Sequence, residues 1–174
     1  MVRISRKLVF SLLAGLIFSF SGSSAFVGGT PGSINFGEVE KGETIQREIF
    51  ITTDFQREFA INPSYSRIRD QRIFEGPNRF EVSEKDISKW IELEQSTVNG
   101  SSEITGTLAD GSKTTAKGSF TMTVDIPPDA QPGYHFGYVN INPRLIASSQ
   151  DAPGSLNWGE SKIPFQMRVD GNAN

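Results

Sequence analysis

Ser119-Phe-Thr-Met-Thr-Val-Asp-Ile126 is the stretch that decides the fold class. Phe120, Met122, Val124 and Ile126 alternate with Ser119, Thr121, Thr123 and Asp125, a period of two that puts one set on each face of a half-buried β-strand. The same period runs upstream from Thr44 to Thr53, where Ile45, Arg47, Ile49 and Ile51 alternate with Gln46, Glu48, Phe50 and Thr52 after the turn Glu40-Lys-Gly-Glu43. Downstream, Tyr134, Phe136 and Tyr138 alternate with His135, Gly137 and Val139, and Ile163, Phe165, Met167 and Val169 alternate with Pro164, Gln166, Arg168 and Asp170.

Shorter strands are predicted at Ser33–Phe36, Glu58–Asn62, Arg79–Val82 and Trp90–Leu93, with a hairpin in which Ile104–Leu108 and Lys113–Lys117 flank Asp110-Gly111. No segment holds a 3.6-residue period beyond one turn. The best helical start, Ser83-Glu-Lys-Asp86 leading to Ile87, has a capping serine and early acids but stops before Trp90. Eight or nine short strands separated by turn residues, with no fixed repeat and no linker, predict an all-β chain forming a single antiparallel β-sandwich.

Residues 1–25 read as an export signal rather than as fold, with an uncleaved N-terminal anchor as the alternative. Arg3, Arg6 and Lys7 precede the apolar stretch Leu8–Phe20, expected as a signal helix, and Ser23 and Ala25 are the small residues a signal peptidase accepts before its cleavage bond. Thirteen residues interrupted by Ser11, Gly15 and Ser19 fall short of the roughly 20 that span a bilayer. The domain is therefore expected at residues 26–174, secreted or extracytoplasmic, in the periplasm or on the cell surface, touching membrane only through the signal before cleavage. Val27-Gly-Gly-Thr-Pro-Gly32 reads as a flexible lead-in that leaves the new N-terminus mobile, and Ile146–Ser155 as a polar insertion.

Composition narrows the chemistry. The chain has 17 basic and 20 acidic residues, and losing Arg3, Arg6 and Lys7 with the signal leaves 14 basic against 20 acidic, a net charge of −6. An acidic domain lacks the positive field that nucleic acid requires. With no cysteine there is no disulfide, thiol nucleophile or zinc knuckle, and one histidine, His135, offers little for acid–base or metal work. His135 is expected exposed, or at the rim, on its strand. Asp54, Glu58, Glu75, Glu81, Glu84 and Asp86 are spread among lysines and arginines as a solvated surface, and Arg67-Ile-Arg-Asp-Gln-Arg72 is a basic loop offset by Asp70. Catalytic residues, metal ligands and cofactors are all expected to be none.

Binding candidates are few. Trp158, Tyr134 and Tyr138 carry aromatic faces of the kind that stack on the apolar face of a sugar ring, with Trp90 assigned to the core. Asn99-Gly-Ser101 is a glycosylation sequon in a polar loop, making Asn99 a candidate attachment site.

Two segments carry a resemblance. Ile34-Asn-Phe-Gly-Glu-Val-Glu-Lys-Gly-Glu-Thr-Ile-Gln-Arg-Glu-Ile-Phe-Ile-Thr-Thr53 resembles the opening of extracytoplasmic immunoglobulin-like domains of archaeal and bacterial surface proteins. Ile126-Pro-Pro-Asp-Ala-Gln-Pro-Gly-Tyr-His-Phe-Gly-Tyr-Val-Asn-Ile141 resembles their later half. WxL-locus and pilus-chaperone-like domains share this sandwich. Thr53-Asp54 stands where the pattern closes its first long strand on an asparagine.

The resemblance implies an immunoglobulin-like fold and a non-catalytic structural or interaction role, such as adhesion or a pilus or thread subunit. In the pilus form, Phe26–Gly32 is donated to the open edge of a second copy. A carbohydrate-binding module of the envelope and an assembly chaperone for exported subunits are the alternatives. The expected partners are other envelope or secreted proteins, the chain itself, or polysaccharide.

Overall fold

The computed structural model describes residues 24–67, 86–146, 157–159 and 161–171. The signal segment up to Ser23, the strand expected at Arg79–Val82, all but Arg67 of the basic loop and all but Ile146 of the polar insertion lie outside these residues. Of the helical start only Asp86 and Ile87 are described, leading into a single 3-10 turn at Ser88–Trp90.

Two four-stranded sheets face each other. One contains β2 (Val27–Thr30), β4 (Thr44–Thr53), β11 (Gly118–Asp125) and β7 (Ile91–Leu93), in that spatial order. The other contains β3 (Ile34–Val39), β15 (Ser161–Val169), β12 (Gly133–Ile141) and β6 (Ser64–Arg67). This is the strand order of an immunoglobulin-type sandwich, with the N-terminal strand divided between the two sheets. The chain passes from β2 to β3 at the cis Thr30-Pro31 peptide.

Period two drives the packing. In β4 and β11, paired antiparallel with Ile49 opposite Phe120 and Arg47 opposite Met122, the residues Ile49, Ile51, Phe120, Met122 and Val124 are buried. They meet Ile34, Phe36, Val39, Val139, Ile141, Ile163, Phe165, Met167 and Val169 from the second sheet in one apolar cluster. Phe50 lies on the opposite face of β4 yet is also buried. The hairpin of β9 (Ile104–Thr107) and β10 (Lys113–Ala116) covers it, and Gly106 comes so close that a Cβ there would meet the Phe50 ring at 2.1 Å.

The hairpin turns where expected. Gly111 takes a positive φ of 82°, and Asp110 accepts hydrogen bonds from the Ser112 hydroxyl at 2.6 Å and backbone N–H at 2.9 Å, which hold the Asp110 carboxyl below its ordinary pKa.

A third sheet closes one end. β5 (Glu58–Ile61) and β13 (Pro143–Leu145) continue the pairing of β6 with β12 beyond breaks at Asn62-Pro63 and Asn142, and β5 also pairs with β8 (Ser96–Asn99). Asn142 Nδ2 donates to Asn62 O at 2.9 Å, and Asn62 N donates to Asn142 O at 3.0 Å, so the breaks face each other as a matched pair.

The expectation of a mobile lead-in is corrected. β2 pairs antiparallel with β4 from Val27 opposite Thr53 to Thr30 opposite Phe50, and the Val27 side chain is 1% exposed. A segment whose polar backbone is laddered and whose valine completes the core is part of this domain's own sheet. Just upstream, β1 (Ser24–Ala25) pairs in parallel with β14 (Asn157–Trp158). Between them Phe26 is held by its backbone: its N–H donates to Asp54 Oδ1 at 2.8 Å, and its carbonyl accepts from Thr53 Oγ1 at 2.6 Å.

Candidate functional site

The site is built on the outer face of the second sheet. In β3, Asn35 and Glu38 pair with Gln166 and Arg168 of β15, so β3 spends three residues where β15 spends two. This bulge centres on Gly37, whose φ of 74° suits a residue without a side chain, and Asn35 Oδ1 accepts the Gly37 N–H at 2.9 Å. The bulge turns Glu38 onto the Arg168 guanidinium, with which it forms an ion pair.

On the far side of β15, Tyr134 of β12 stands opposite Arg168. Its ring lies nearly parallel to that of Phe136, with centroids 6.1 Å apart, and Phe136 is buried although it faces outward. Asn35, Gly37, Glu38, Gln166, Met167, Arg168 and Tyr134 together line an open cleft of about 400 Å³. Two amides, one aromatic ring and a pair of opposite charges, all carried on strand backbone, give a surface that combines hydrogen-bonding groups with a ring.

Farther along β12 the outer face is polar and internally bonded. Asn140 Nδ2 donates to Ser64 O at 3.0 Å and to Ser66 Oγ at 3.1 Å, and Asn142 Nδ2 reaches Ser64 Oγ at 2.9 Å. Tyr138, half-buried, stands opposite Ser66 and Pro164 between this ladder and the cleft.

The sequence candidates thus separate. Tyr134 lines the cleft and Tyr138 shares its face. Trp158 sits elsewhere, at the end closed by the third sheet, with its ring 5.0 Å from Phe55 and 5.4 Å from Phe59. Its aromatic surface is applied to the core rather than presented beside the tyrosines. Trp90 is likewise packed on the core.

Asn99 is exposed at the end of β8, in a tightly fixed loop. Its Oδ1 accepts the Ser101 N–H at 3.0 Å, Gly100 N–H donates to Arg57 O at 3.1 Å, and the Ser101 hydroxyl donates to Gln56 O. Only glycine fits between Asn99 and Ser101, because a Cβ on Gly100 would lie 1.6 Å from Phe55 O.

His135 is the clear correction. It is 1% exposed and points inward, its Nε2 2.9 Å from Gln131 O and its ring 4.9 Å from that of Trp90. On β12 the inward set is His135, Gly137, Val139 and Ile141, and the aromatic set faces out. The reason is Gly137: Tyr65 and Phe165 occupy the space a side chain would fill, so the small residue must face the core.

Asn35, Glu38, Gln166 and Arg168 were not legible as site residues. Their meeting depends on a parallel pairing between the two ends of the fold and on a bulge, neither of which leaves a local pattern. Among the described residues no group of three or more His, Cys, Asp or Glu side chains gathers in a metal-binding arrangement.

No family model matches the chain, so the resemblance to WxL-locus domains has no sequence-family support. No curated protein matches it either. Among solved structures it is similar to a family 123 glycoside hydrolase from Clostridium perfringens, at 10% identity and a TM-score of 0.43 over 84% of this chain and 27% of that one. It is also similar to the GspB Siglec domain, at 18% identity and a TM-score of 0.36 over 86% of this chain and 60% of that one. A third is PapD-like domain 7 of human CEP192, at 11% identity and a TM-score of 0.37 over 85% and 86% of the two chains. The β-sandwich itself is established by the strand pairing described above.

Proposed function

We propose that this chain is an exported, non-catalytic interaction domain that holds an envelope or cell-surface partner across the outer face of its second sheet. The observation that carries the reading is the cleft between β3, β15 and β12, where a bulge, an ion pair and a tyrosine ring converge on a rigid sheet. Ladder pairing fixes the backbone from which these side chains project, so binding has only side-chain rotamers left to order, which favours recognition by a preformed surface. The export signal read in residues 1–25 supports an extracytoplasmic partner.

The envelope-carbohydrate reading is the second, and Tyr134 favours it: a ring lining the same cleft as the Asn35 and Gln166 amides and Arg168 supplies a stacking face in a site with hydrogen-bonding groups. Strand donation to a second copy is not carried forward in the form first expected, because the segment that would be donated completes its own sheet.

The test is binding of the purified chain to isolated envelopes of the organism that encodes it, before and after protease treatment. A variant with Tyr134→Leu and Gln166→Ala should bind at least tenfold more weakly while melting within about 3 °C of the parent. Loss of binding after protease identifies a protein partner, and retention identifies polysaccharide. Unchanged binding by the double variant would remove the cleft from the reading.

A further inference from the structure

We propose that the α-ammonium group created at Phe26 by the expected hydrolysis of the Ala25-Phe26 peptide bond is captured by Asp54. The inference rests on the export reading of residues 1–25. The step consumes water and requires an endopeptidase selective for small residues before the bond, which Ser23 and Ala25 provide. The Ala25 C–Phe26 N bond breaks, the water oxygen goes to the Ala25 carbonyl carbon to give a carboxylate, and the freed nitrogen takes up protons to become an ammonium.

The geometry for capture is already in place. Phe26 N is 2.8 Å from Asp54 Oδ1, so the atom that would gain the positive charge is bonded to a carboxylate without any rearrangement. The carbonyl of the same residue is fixed by Thr53 Oγ1, and the β2–β4 ladder begins at the next residue, Val27 opposite Thr53. Both of these hydrogen bonds to Phe26 come from residues after the bond.

The residues before the bond make a separate set of contacts, in which Ala25 is buried. Ser24 and Ala25 are the whole of β1, and they pair with Asn157 and Trp158 rather than with β4. Removing them deletes that short ladder and leaves the β2–β4 register intact. The Phe26 ring, 60% exposed, lies over Gly28, where a Cβ would come within 2.6 Å of its tip, so the new terminus is seated by a glycine as well. An amide N–H gives Asp54 one neutral donor; an ammonium gives it a charge-assisted one, which is stronger. In the folded domain the new ammonium would thus hold the edge strand more tightly than the uncut amide does.

The experiment expresses the whole chain in a bacterium and examines the protein recovered outside the cytoplasmic membrane. N-terminal sequencing and intact mass should show a chain beginning at Phe26. The pH dependence of its α-amine acylation should then show an amine pKa about half a unit higher in the parent than in Asp54→Asn, the modest shift of an exposed pair. Asn keeps the hydrogen-bond acceptor, and Arg57 and Glu58, the other charged residues of the connection, are common to both chains, so the difference isolates the Asp54 charge.

An exported chain that is uncut, or that begins elsewhere, overturns the processing site and leaves export standing. A chain that begins at Phe26 with the same amine pKa in both variants overturns the capture by Asp54. A chain that stays in the cytoplasm overturns the export reading itself.

Discussion

Replacing Gly137 with alanine should destabilise the domain by about 2 kcal/mol, a value that follows from what surrounds the position. A Cβ there would lie 2.4 Å from Tyr65 Cε2 and 2.5 Å from two ring carbons of Phe165, whereas carbon atoms in ordinary contact stand about 3.5–4.0 Å apart. Both rings must retreat by about 1 Å. Phe165 cannot do so freely, since it is fully buried and meets Phe36 edge-on with centroids 6.2 Å apart. Tyr65 is only half-buried and gives more easily. Overpacking of this kind costs about 1–3 kcal/mol, and its upper end is offset by about 0.4–1 kcal/mol because alanine restricts the unfolded chain. Urea denaturation should show a lower midpoint at an unchanged slope, and the melting temperature should fall by about 4–8 °C. Gly32→Ala is the control, because a Cβ at Gly32 meets nothing within 4 Å. A Gly137→Ala chain that matches Gly32→Ala to within about 0.5 kcal/mol would refute the claim that the two rings demand a glycine.

Tyr65 itself supplies a pH test. Its hydroxyl is buried and has no hydrogen-bond partner among the described residues, and its pKa is pushed up to about 12, chiefly by burial and secondarily by Asp86. The unfolded phenol ionises near 10 while the folded one stays neutral, so folding carries no penalty from this group below pH 10 and a growing one as pH rises toward about 12. Tyr65→Phe should remove that alkaline fall in denaturation midpoints and cost nothing at neutral pH, with a gain of up to about 1 kcal/mol from deleting an unsatisfied hydroxyl. Trp158→Ala should lower stability by about 2 kcal/mol in the same assay, since it strips a partly exposed ring from Phe55 and Phe59. A loss below about 0.5 kcal/mol would mean that the ring contributes little to closing that end of the sandwich.

The sequence disclosed what local periodicity records. β4 runs over the expected Thr44–Thr53, and β11, β12 and β15 fall within a residue or two of their expected spans. The Asp110-Gly111 hairpin was legible because its turn demands a positive φ.

Long-range choices were not legible. Period two says that neighbours face opposite ways but not which set faces in, and in β12 the aromatics went outward while His135 went to the core. β2 was hidden because Val-Gly-Gly-Thr offers one apolar side chain and no alternation, and its pairing comes from β4, which supplies the ladder. The cleft was hidden for a related reason: it needs β3 beside β15, about 130 residues later, and a bulge at Gly37 that no local signal distinguishes from an ordinary turn glycine.

The parallel pairing of β3 with β15 also governs how the domain bears tension. Both strands point the same way along one ladder between the start and the end of the described fold. A pull toward the N-terminal side at β3 and toward the C-terminal side at β15 slides the strands lengthwise, so the bonds from Ile34 to Val39 are loaded together in shear rather than peeled one by one. The antiparallel β2–β4 ladder precedes them along the chain. A domain wired this way resists extension along its own chain.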